Sequence, residues 1–336
     1  MGGVRIRRLL IAATITLVVV LLASWVGPSR SYLFLPNTAK QLSAQITIKG
    51  GEPPDDRGGI YYVDITIRRA TWLERYLAFT RPNGASLVSE RVVVPPGSSF
   101  GARHTAELAE MARSERTAAA VALRAAGYKV RARPQGALIE GVATDVPAAG
   151  KLRRGDVIVE AAGMQVRTPA ALRQAIGTVK PGDAVALRVR RTGKALELTV
   201  TTVPAPEEPA RPVLGIFVSQ AADIDLPIPV KIDLGDVGGP SAGLPFALGI
   251  MQKLGKDIDR GYKVAATGEI ELDGAVGAIG GIKQKVYGAR AAGADVFLVP
   301  AGDNAKEARR YAGNLRVIAV DNFQQALRKL ATLPHR

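Results

Sequence analysis

An uncharged run of 18 residues, from Leu9 to Val26, is the strongest constraint that this sequence places on its fold. A helix of that length is just long enough to cross the core of a bilayer. Three arginines lie among the eight residues before the run, and positive residues stay on the cytoplasmic side. A cleaved signal peptide is the alternative, but its apolar core usually has about 7–15 residues, and no A-x-A-like cleavage site follows here. We therefore expect residues 1–27 to form a cytoplasmic stub and a transmembrane signal anchor.

This anchor predicts where the rest of the chain works. Residues 9–26 would contact membrane lipid, and the chain after about residue 27 would be extracytoplasmic, in a single-pass protein of the cell membrane. Residues 28–126 show strand patterns, including a hairpin of 45–49 with 60–67, and then an Ala-, Glu- and Arg-rich helix over 105–126. Nothing in this region identifies a reaction.

The composition excludes several kinds of chemistry. The chain has 336 residues, no cysteine and two histidines, of which His335 is next to last. Disulfides, thiol nucleophiles and cysteine-containing zinc sites are excluded, and a Ser-His-Asp triad is improbable. Spaced aspartates before residue 237 match no calcium loop, so we expect no metal and no other cofactor. Proton transfer would fall to Asp, Glu, Lys or Tyr.

A net charge of +15 raises the possibility of a nucleic-acid partner. The basic excess is spread along the chain without a block of five like charges, and aromatic residues make up only 5% of it. Stacking on bases requires more aromatic side chains than this. We expect no nucleic-acid partner.

The segment 127–203 has a recognisable order of elements. Gly150 to Ile158 has the spacing G-x-L-x-x-G-D-x-I, in which a tight turn enters a buried strand. Thr168 then caps a helix that has Pro169 at its first position, and a predicted hairpin ends the segment. Loop, strand, helix and hairpin in this order resemble a PDZ domain of the bacterial protease type.

PDZ domains bind extended peptides on an open sheet edge and hold a terminal carboxylate on backbone N–H groups. The resemblance implies that Gly136, Ala137 and Leu138 form this carboxylate loop and that Leu172 and Ile176 line the groove. Gly136 suits the role because a carboxylate must approach bare backbone closely. Gln135 and Ala137 depart from the usual apolar-Gly-apolar loop, so the peptide preference stays open.

A proline-rich linker, 204–212, precedes a second domain over 213–336. There Gly238 to Gly243 reads GGPSAG before an apolar helix, which leaves Ser241 Oγ uncrowded near the N–H groups of a helix start. Gly239-x-Ser241-x-Gly243 also fits the nucleophile elbow of α/β-hydrolases. That fold needs a histidine after the serine, and only His335 is available, so we do not favour it.

Without a histidine, a serine can be activated by a lysine whose pKa is lowered by burial. Two lysines, Lys283 and Lys285, follow the Gly280-Gly281 pair. Helical spacing places Lys285 on an otherwise apolar stripe, and it places Lys283 on the opposite face with Tyr287 and Arg290. We therefore expect Lys285 to point inward, although an inward lysine can also snorkel towards solvent.

The serine motif, Thr267-Gly268-Glu269-Ile270 and the two-lysine motif together resemble the proteolytic domain of Lon proteases over about 211–332. The resemblance implies a dyad of Ser241 as nucleophile and Lys285 as general base. It also implies that the Thr267 hydroxyl orients the lysine and that Glu269 is supportive or structural.

The oxyanion side departs from the family. Backbone N–H groups from Gly239 to Ala242 would hold the oxyanion. ATP-dependent Lon enzymes have an aspartate three residues before the serine, where this chain has Gly238, and Asp236 lies two residues further back.

The whole chain thus resembles a bacterial membrane-anchored, ATP-independent Lon-like serine protease, since no G-x-x-x-x-G-K-[ST] loop occurs in it. The expected fold class is α+β multidomain: an N-terminal transmembrane helix, a mixed α/β N-terminal region, a PDZ domain and a Lon-type proteolytic domain. Its partners would be exported or unfolded polypeptides, and a hexameric ring is possible. A catalytically silent PDZ-containing membrane adaptor that binds peptide C-termini is the alternative.

Overall fold

The computed structural model describes residues 2–53, 58–93, 100–205, 208–235 and 237–336, with the side chains of 2–5, 23–26, 91 and 100–107 left aside. Asp236 and linker residues 206–207 therefore lie outside the described residues. The helices are α1 Gly2–Val26, α2 Trp72–Tyr76, α3 Glu90–Val93, α4 Phe100–Ala125, α5 Pro169–Ile176, α6 Gly243–Lys253, α7 Ile282–Ala291, α8 Asp303–Tyr311 and α9 Phe323–Ala331. Short 3₁₀ turns cover Ala78–Thr80 and Pro240–Ala242.

The central sheet is assembled from both ends of the chain. Its order is β2 (Lys40–Gln41), β4 (Gly59–Tyr62), β16 (Lys263–Ala266), β19 (Val296–Pro300) and β20 (Arg316–Val320). The strands β4, β16, β19 and β20 run parallel, with Tyr62 opposite Ala266. Parallel strands covered on both faces are rich in branched apolar residues, as VFLVP of β19 and RVIAV of β20 are.

Smaller sheets complete the N-terminal region. One has the order β5 (Ile65–Thr71), β1 (Pro28–Pro36) and β6 (Ser86–Ser89). Another pairs β3 (Ile46–Ile48) with β15 (Val230–Ile232), and β17 (Glu269–Ile270) pairs with β18 (Val276–Gly277). The predicted hairpin of 45–49 with 60–67 is wrong, because β3 pairs with β15 and β4 pairs with β16. Turn-forming residues between two strands do not decide which strands pair.

The PDZ-like region is a sheet with α5 packed on it. The sheet order is β11 (Lys194–Thr201), β10 (Ala184–Arg191), β8 (Val157–Ala161), β7 (Arg131–Val142) and β14 (Ile216–Asp225), and β9 (Met164–Gln165) pairs with β8. The predicted cap is confirmed, since Thr168 Oγ1 accepts the Ala171 N–H at 3.1 Å. Strands β12 (Val203–Ala205) and β13 (Glu208–Val213) pair across the proline-rich segment.

The long helix α4 confirms the helix predicted over 105–126. Its alanine-rich half, including Ala118 and Ala122, is buried against α6, whose face contributes Leu244 and Leu248. Small residues let two helices approach closely, so α4 lies directly on the helix that follows Ser241.

The transmembrane part of the predicted fold class is wrong. Within the described residues, no helix combines the length and the apolar character needed to span a membrane. The predicted single-pass location at the cell membrane depended on that helix and is wrong for the same reason.

Candidate active site

Ser241 lies in a tight turn between an extended segment and α6. Gly239 has φ +94°, which favours glycine, and Pro240 begins the 3₁₀ turn that contains Ser241. A Cβ at Gly239 would have nothing within 4 Å, so the space beside the turn is open. The serine is thus presented at the start of a helix whose first N–H groups lack helical partners.

Two segments hold this turn in place. Gly268 N–H donates to the Ser241 carbonyl at 2.9 Å, and Thr267 Oγ1 donates to the same oxygen at 3.1 Å. From the N-terminal region, Ser114 Oγ of α4 donates to the Pro240 carbonyl at 3.2 Å. The position of Ser241 therefore depends on the loop that follows β16 and on α4.

Lys285 points inward, as the helical spacing predicted. It is 2% exposed on α7, and its Nζ donates to Thr267 Oγ1 at 3.1 Å. Burial lowers the pKa of Lys285 to about 7, while the charge of Asp64 opposes this effect. One threonine hydroxyl thus bonds both the lysine ammonium and the backbone of the serine.

Lys283 is engaged elsewhere. Its Nζ donates to the Ala85 carbonyl at 3.0 Å and lies 5.6 Å from the ring centroid of Tyr311. It is partly buried rather than fully solvated, yet it stays on the side of α7 away from Thr267. Of the two lysines in the motif, Lys285 is the one that faces the serine turn.

Glu269 and Glu271 lie beyond Thr267, on the path towards the PDZ-like region. Burial, reinforced by Glu271, raises the pKa of Glu269 to about 7. Glu271 is 1% exposed and accepts the Ala170 N–H at 3.0 Å and Arg173 Nη2 at 2.6 Å, both from α5. The segment 267–271 thus contacts Lys285 at one end, through Thr267, and α5 at the other, through Glu271.

The expected oxyanion residues lie together. Ala242 is buried, and the Gly243 N–H donates to the Pro240 carbonyl, so that the N–H groups of the turn lie at the beginning of α6. A helix start favours negative charge. Within the described residues, no group of three or more His, Asp or Glu could hold a metal ion.

The residues expected to form the peptide groove lie on one strand of the PDZ-like sheet and on helix α5. Gly136, Ala137 and Leu138 belong to β7, which pairs with β8 on one side and with β14 on the other. A Cβ at Gly136 would collide with the Ile158 carbonyl, so the glycine accommodates the neighbouring strand. Leu172 and Ile176 are buried in the PDZ-like core. At Ala137 and Leu138, strand β7 is therefore paired on both sides.

The sequence contained a signal for the free edge that was missed. Leu214-Gly215-Ile216 is an apolar-Gly-apolar triplet, and it leads into β14, the last strand of the sheet. Gly215 has φ +69°, and a Cβ there would meet Val146. Asp64 was also missed, because nothing in its local sequence indicates that it acts on Lys285.

Two family models match parts of this chain. Residues 221–332 match the Lon protease (S16) C-terminal proteolytic domain, and residues 121–202 match the PDZ domain. Both resemblances inferred from the sequence are confirmed at the level of the domains.

Several curated relatives agree with these matches. Lon protease 2 of Bacillus subtilis is 30% identical over 61% of this chain and 35% of its own length. The Lon protease of Heliobacterium modesticaldum is 34% identical over 36% of this chain and 15% of its own length. A probable periplasmic serine endoprotease DegP-like of Halomonas elongata is 46% identical over 20% of this chain and 15% of its own length. The chain thus spans about a third or less of these relatives.

These matches support a serine peptidase, and the enzyme class expected from the sequence is confirmed. The C-terminal part of the chain resembles a Lon-type proteolytic domain, and the part before it resembles a PDZ domain.

Proposed function

We propose that this protein is an ATP-independent serine endopeptidase that hydrolyses unfolded polypeptides with a dyad of Ser241 and Lys285. The observation that carries the proposal is the environment of Lys285: a lysine that is 2% exposed, bonded to Thr267, with its pKa lowered to about 7. A lysine of pKa about 7 is half neutral at pH 7, whereas at the ordinary pKa of about 10.4 fewer than about one in a thousand would be. Burial therefore supplies the neutral base that a serine requires.

In this mechanism, neutral Lys285 takes the proton of Ser241 Oγ as the oxygen attacks the peptide carbonyl. The N–H groups of the turn from Gly239 to Ala242 stabilise the oxyanion, with help from the start of α6. The Lys285 ammonium then donates its proton to the leaving amine, and an acyl-enzyme remains on Ser241. Water hydrolyses this ester while Lys285 again acts as the base.

Thr267 and Glu269 have supporting roles in this proposal. The Thr267 hydroxyl, bonded to the Ser241 carbonyl, accepts from Lys285 Nζ and fixes the direction of the amine. Glu269 contributes no direct contact to the dyad among the described hydrogen bonds, so we assign it to the support of the loop beside Thr267.

Substrate segments would be recruited on the edge of β14 that pairs with no other strand among the described residues. A strand at the end of a sheet has unpaired N–H and C=O groups that an extended peptide can use. The Leu214-Gly215-Ile216 turn lies at the start of this strand, where N–H groups could receive a terminal carboxylate. Phe217 next to it is 67% exposed, which is unusual for a large apolar side chain in a sheet and fits a peptide contact.

ATP independence rests on the absence of a P-loop motif from the sequence. Assembly into a hexameric ring, which the Lon resemblance implies, stays a prediction that light scattering of the purified protein would decide.

Labelling by a fluorophosphonate and cleavage of casein without nucleotide test the proposal together. We expect Ser241→Ala to abolish both, while Ser89→Ala, which alters an exposed serine, leaves both unchanged. Labelling that persists in Ser241→Ala would refute the dyad. Binding of peptides without any Ser241-dependent labelling would instead favour a catalytically silent adaptor that binds peptide C-termini.

A further inference from the structure

Lys285 and the Oδ1 atom of Asp64 are both buried, and both have unused hydrogen-bonding capacity within the described residues. An ammonium has three donors, and among the described residues Lys285 uses one, towards Thr267. Asp64 Oδ1 is buried and has no hydrogen-bond partner within the described part of the chain. A buried polar group without a partner destabilises the folded protein, so its presence calls for an explanation such as an interaction with another buried group or a role in catalysis.

The sheet topology explains why the two groups are neighbours. Asp64 follows β4 and Thr267 follows β16, and these strands are adjacent and parallel, with Tyr62 opposite Ala266. The carboxyl ends of parallel strands meet at one edge, where functional groups of such sheets collect. Next to Asp64, Val63 packs in one apolar cluster with Ile282 and Val286 of α7, the helix that carries Lys285.

Asp64 is the charged group that acts on Lys285, and its negative charge favours the ammonium form. Asp64 itself faces Lys40, whose Nζ lies 3.6 Å from Oδ2. Burial, reinforced by the charge of Asp64, raises the pKa of Tyr62. The Lys40 side chain is 54% exposed, so solvent screens its attraction to Asp64. The negative charge of Asp64 is therefore only partly neutralised by Lys40 and still acts on Lys285.

We propose that Asp64 is a positioning residue of the Ser241 and Lys285 reaction, whose carboxylate stabilises the ammonium formed when Lys285 takes the serine proton. The O–H bond of Ser241 breaks, an N–H bond forms on Lys285, and the new cation stands near an anion that was already in place. Asp64 touches neither substrate nor the reacting oxygen and acts through Lys285. This inference rests on the proposed dyad.

Burial and Asp64 have opposite effects, and the dyad needs both. Burial alone would make Lys285 a base too weak to remove the serine proton, and an unopposed carboxylate would keep the lysine charged. A half-exposed competitor, Lys40, moderates the carboxylate. Removing Asp64 and removing Lys40 should therefore change the proton affinity of Lys285 in opposite directions.

The test is a titration of the Lys285 signal by NMR of ¹³Cε-lysine in the full-length protein, with Lys285→Gln identifying the resonance. Working in the Ser241→Ala background reads proton affinity without activity. We expect Asp64→Asn to lower the midpoint by about one pH unit. Asp64→Glu should restore it, and Lys40→Gln should raise it. Asp303→Asn, an exposed charge on α8, should leave it unchanged.

A midpoint that stays in place or rises in Asp64→Asn would overturn the inference. If Asp64→Asn fails to fold, Lys40→Gln decides, since an unchanged or lowered midpoint there refutes the same coupling. In the active protein, the pH at which fluorophosphonate labelling reaches half its maximum should move down with the midpoint in Asp64→Asn, and the maximum should fall about threefold because the base is weaker. If the unaltered protein shows no Ser241-dependent labelling, the proposed dyad is wrong. The NMR midpoint in Asp64→Asn tests the role of Asp64 separately.

Discussion

Replacing the proposed general base should make the protein more stable while it abolishes cleavage. Lys285→Met keeps the length and most of the volume of the side chain at a site that is 2% exposed. It removes an amine whose pKa burial has lowered to about 7. A lowered lysine pKa means that the charged form is less stable in the folded protein than in the unfolded chain. This difference lowers the free energy of unfolding.

The size of that cost follows from the shift. Moving a lysine from a pKa of about 10.4 to about 7 costs about 4 kcal/mol at pH 7, because each pKa unit is worth about 1.4 kcal/mol and half of the folded lysine is already neutral. The substitution also loses the hydrogen bond to Thr267, worth about 1 kcal/mol. Thr267 keeps its bond to the Ser241 carbonyl. We therefore expect Lys285→Met to stabilise the fold by about 3 kcal/mol at pH 7.

The pH dependence has a definite sign. Between pH 7 and about 10.4 the unfolded lysine binds more protons than the folded one, so the unaltered protein becomes more stable as the pH rises through this window. Lys285→Met has no such group. The difference in unfolding free energy between the two proteins should be largest below pH 7 and should shrink towards pH 10.

The assay is urea unfolding followed by circular dichroism at pH 6, 7.5 and 9. Lys283→Met is the matched control on the same helix, since that lysine is only partly buried and bonds the Ala85 carbonyl. A difference between Lys285→Met and the unaltered protein that is the same at all three pH values would refute the reasoning. So would a variant that is less stable at pH 6.

Two further substitutions test how the site is held. Gly288→Ala should lower the free energy of unfolding by about 1–3 kcal/mol, because a Cβ on α7 would collide with the Asn37 carbonyl, and thermal unfolding beside Gly280→Ala, a position with open space, measures this. An equal melting temperature in both variants would contradict it. Glu271→Gln should weaken the attachment of α5 by about 1–2 kcal/mol, because a buried carboxylate accepts from Ala170 and Arg173. Hydrogen exchange over 169–176 should speed up severalfold relative to Glu208→Gln, an exposed control, and unchanged exchange would argue against the contact.

Local patterns predicted the parts of the site that depend on local geometry. The 3.6-residue period placed Lys285 on the buried face of α7, and glycines around Ser241 predicted a turn into a helix. Both features are decided within a few residues of chain. The roles of the two side chains in catalysis stay predictions.

Features that depend on strand pairing could not be read in this way. β4 lies about 200 residues before β16 in the sequence, and nothing in either strand specifies the other as its parallel neighbour. Asp64 and Ser114 were missed for this reason, because each reaches the site only through that pairing or through the packing of α4 on α6. The sequence pattern predicted the peptide groove on β7. It did not indicate that β14, which follows the linker, pairs with β7 and becomes the last strand of the sheet.

The same pairings bear on what makes up the catalytic unit. Residues 221–332 match the Lon proteolytic domain, but that segment contains only β16, β19 and β20 of the central sheet. Its neighbours β2 and β4 come from before the PDZ match, and α4, whose alanine-rich face covers α6, begins before that match and ends within its first residues. Without them Phe246 and Leu248 would lose part of the apolar cluster that buries them, and Ser114 could not hold the serine turn. The PDZ-like region thus interrupts the chain of the unit that it serves, and both of its ends are tied to the elements around Ser241.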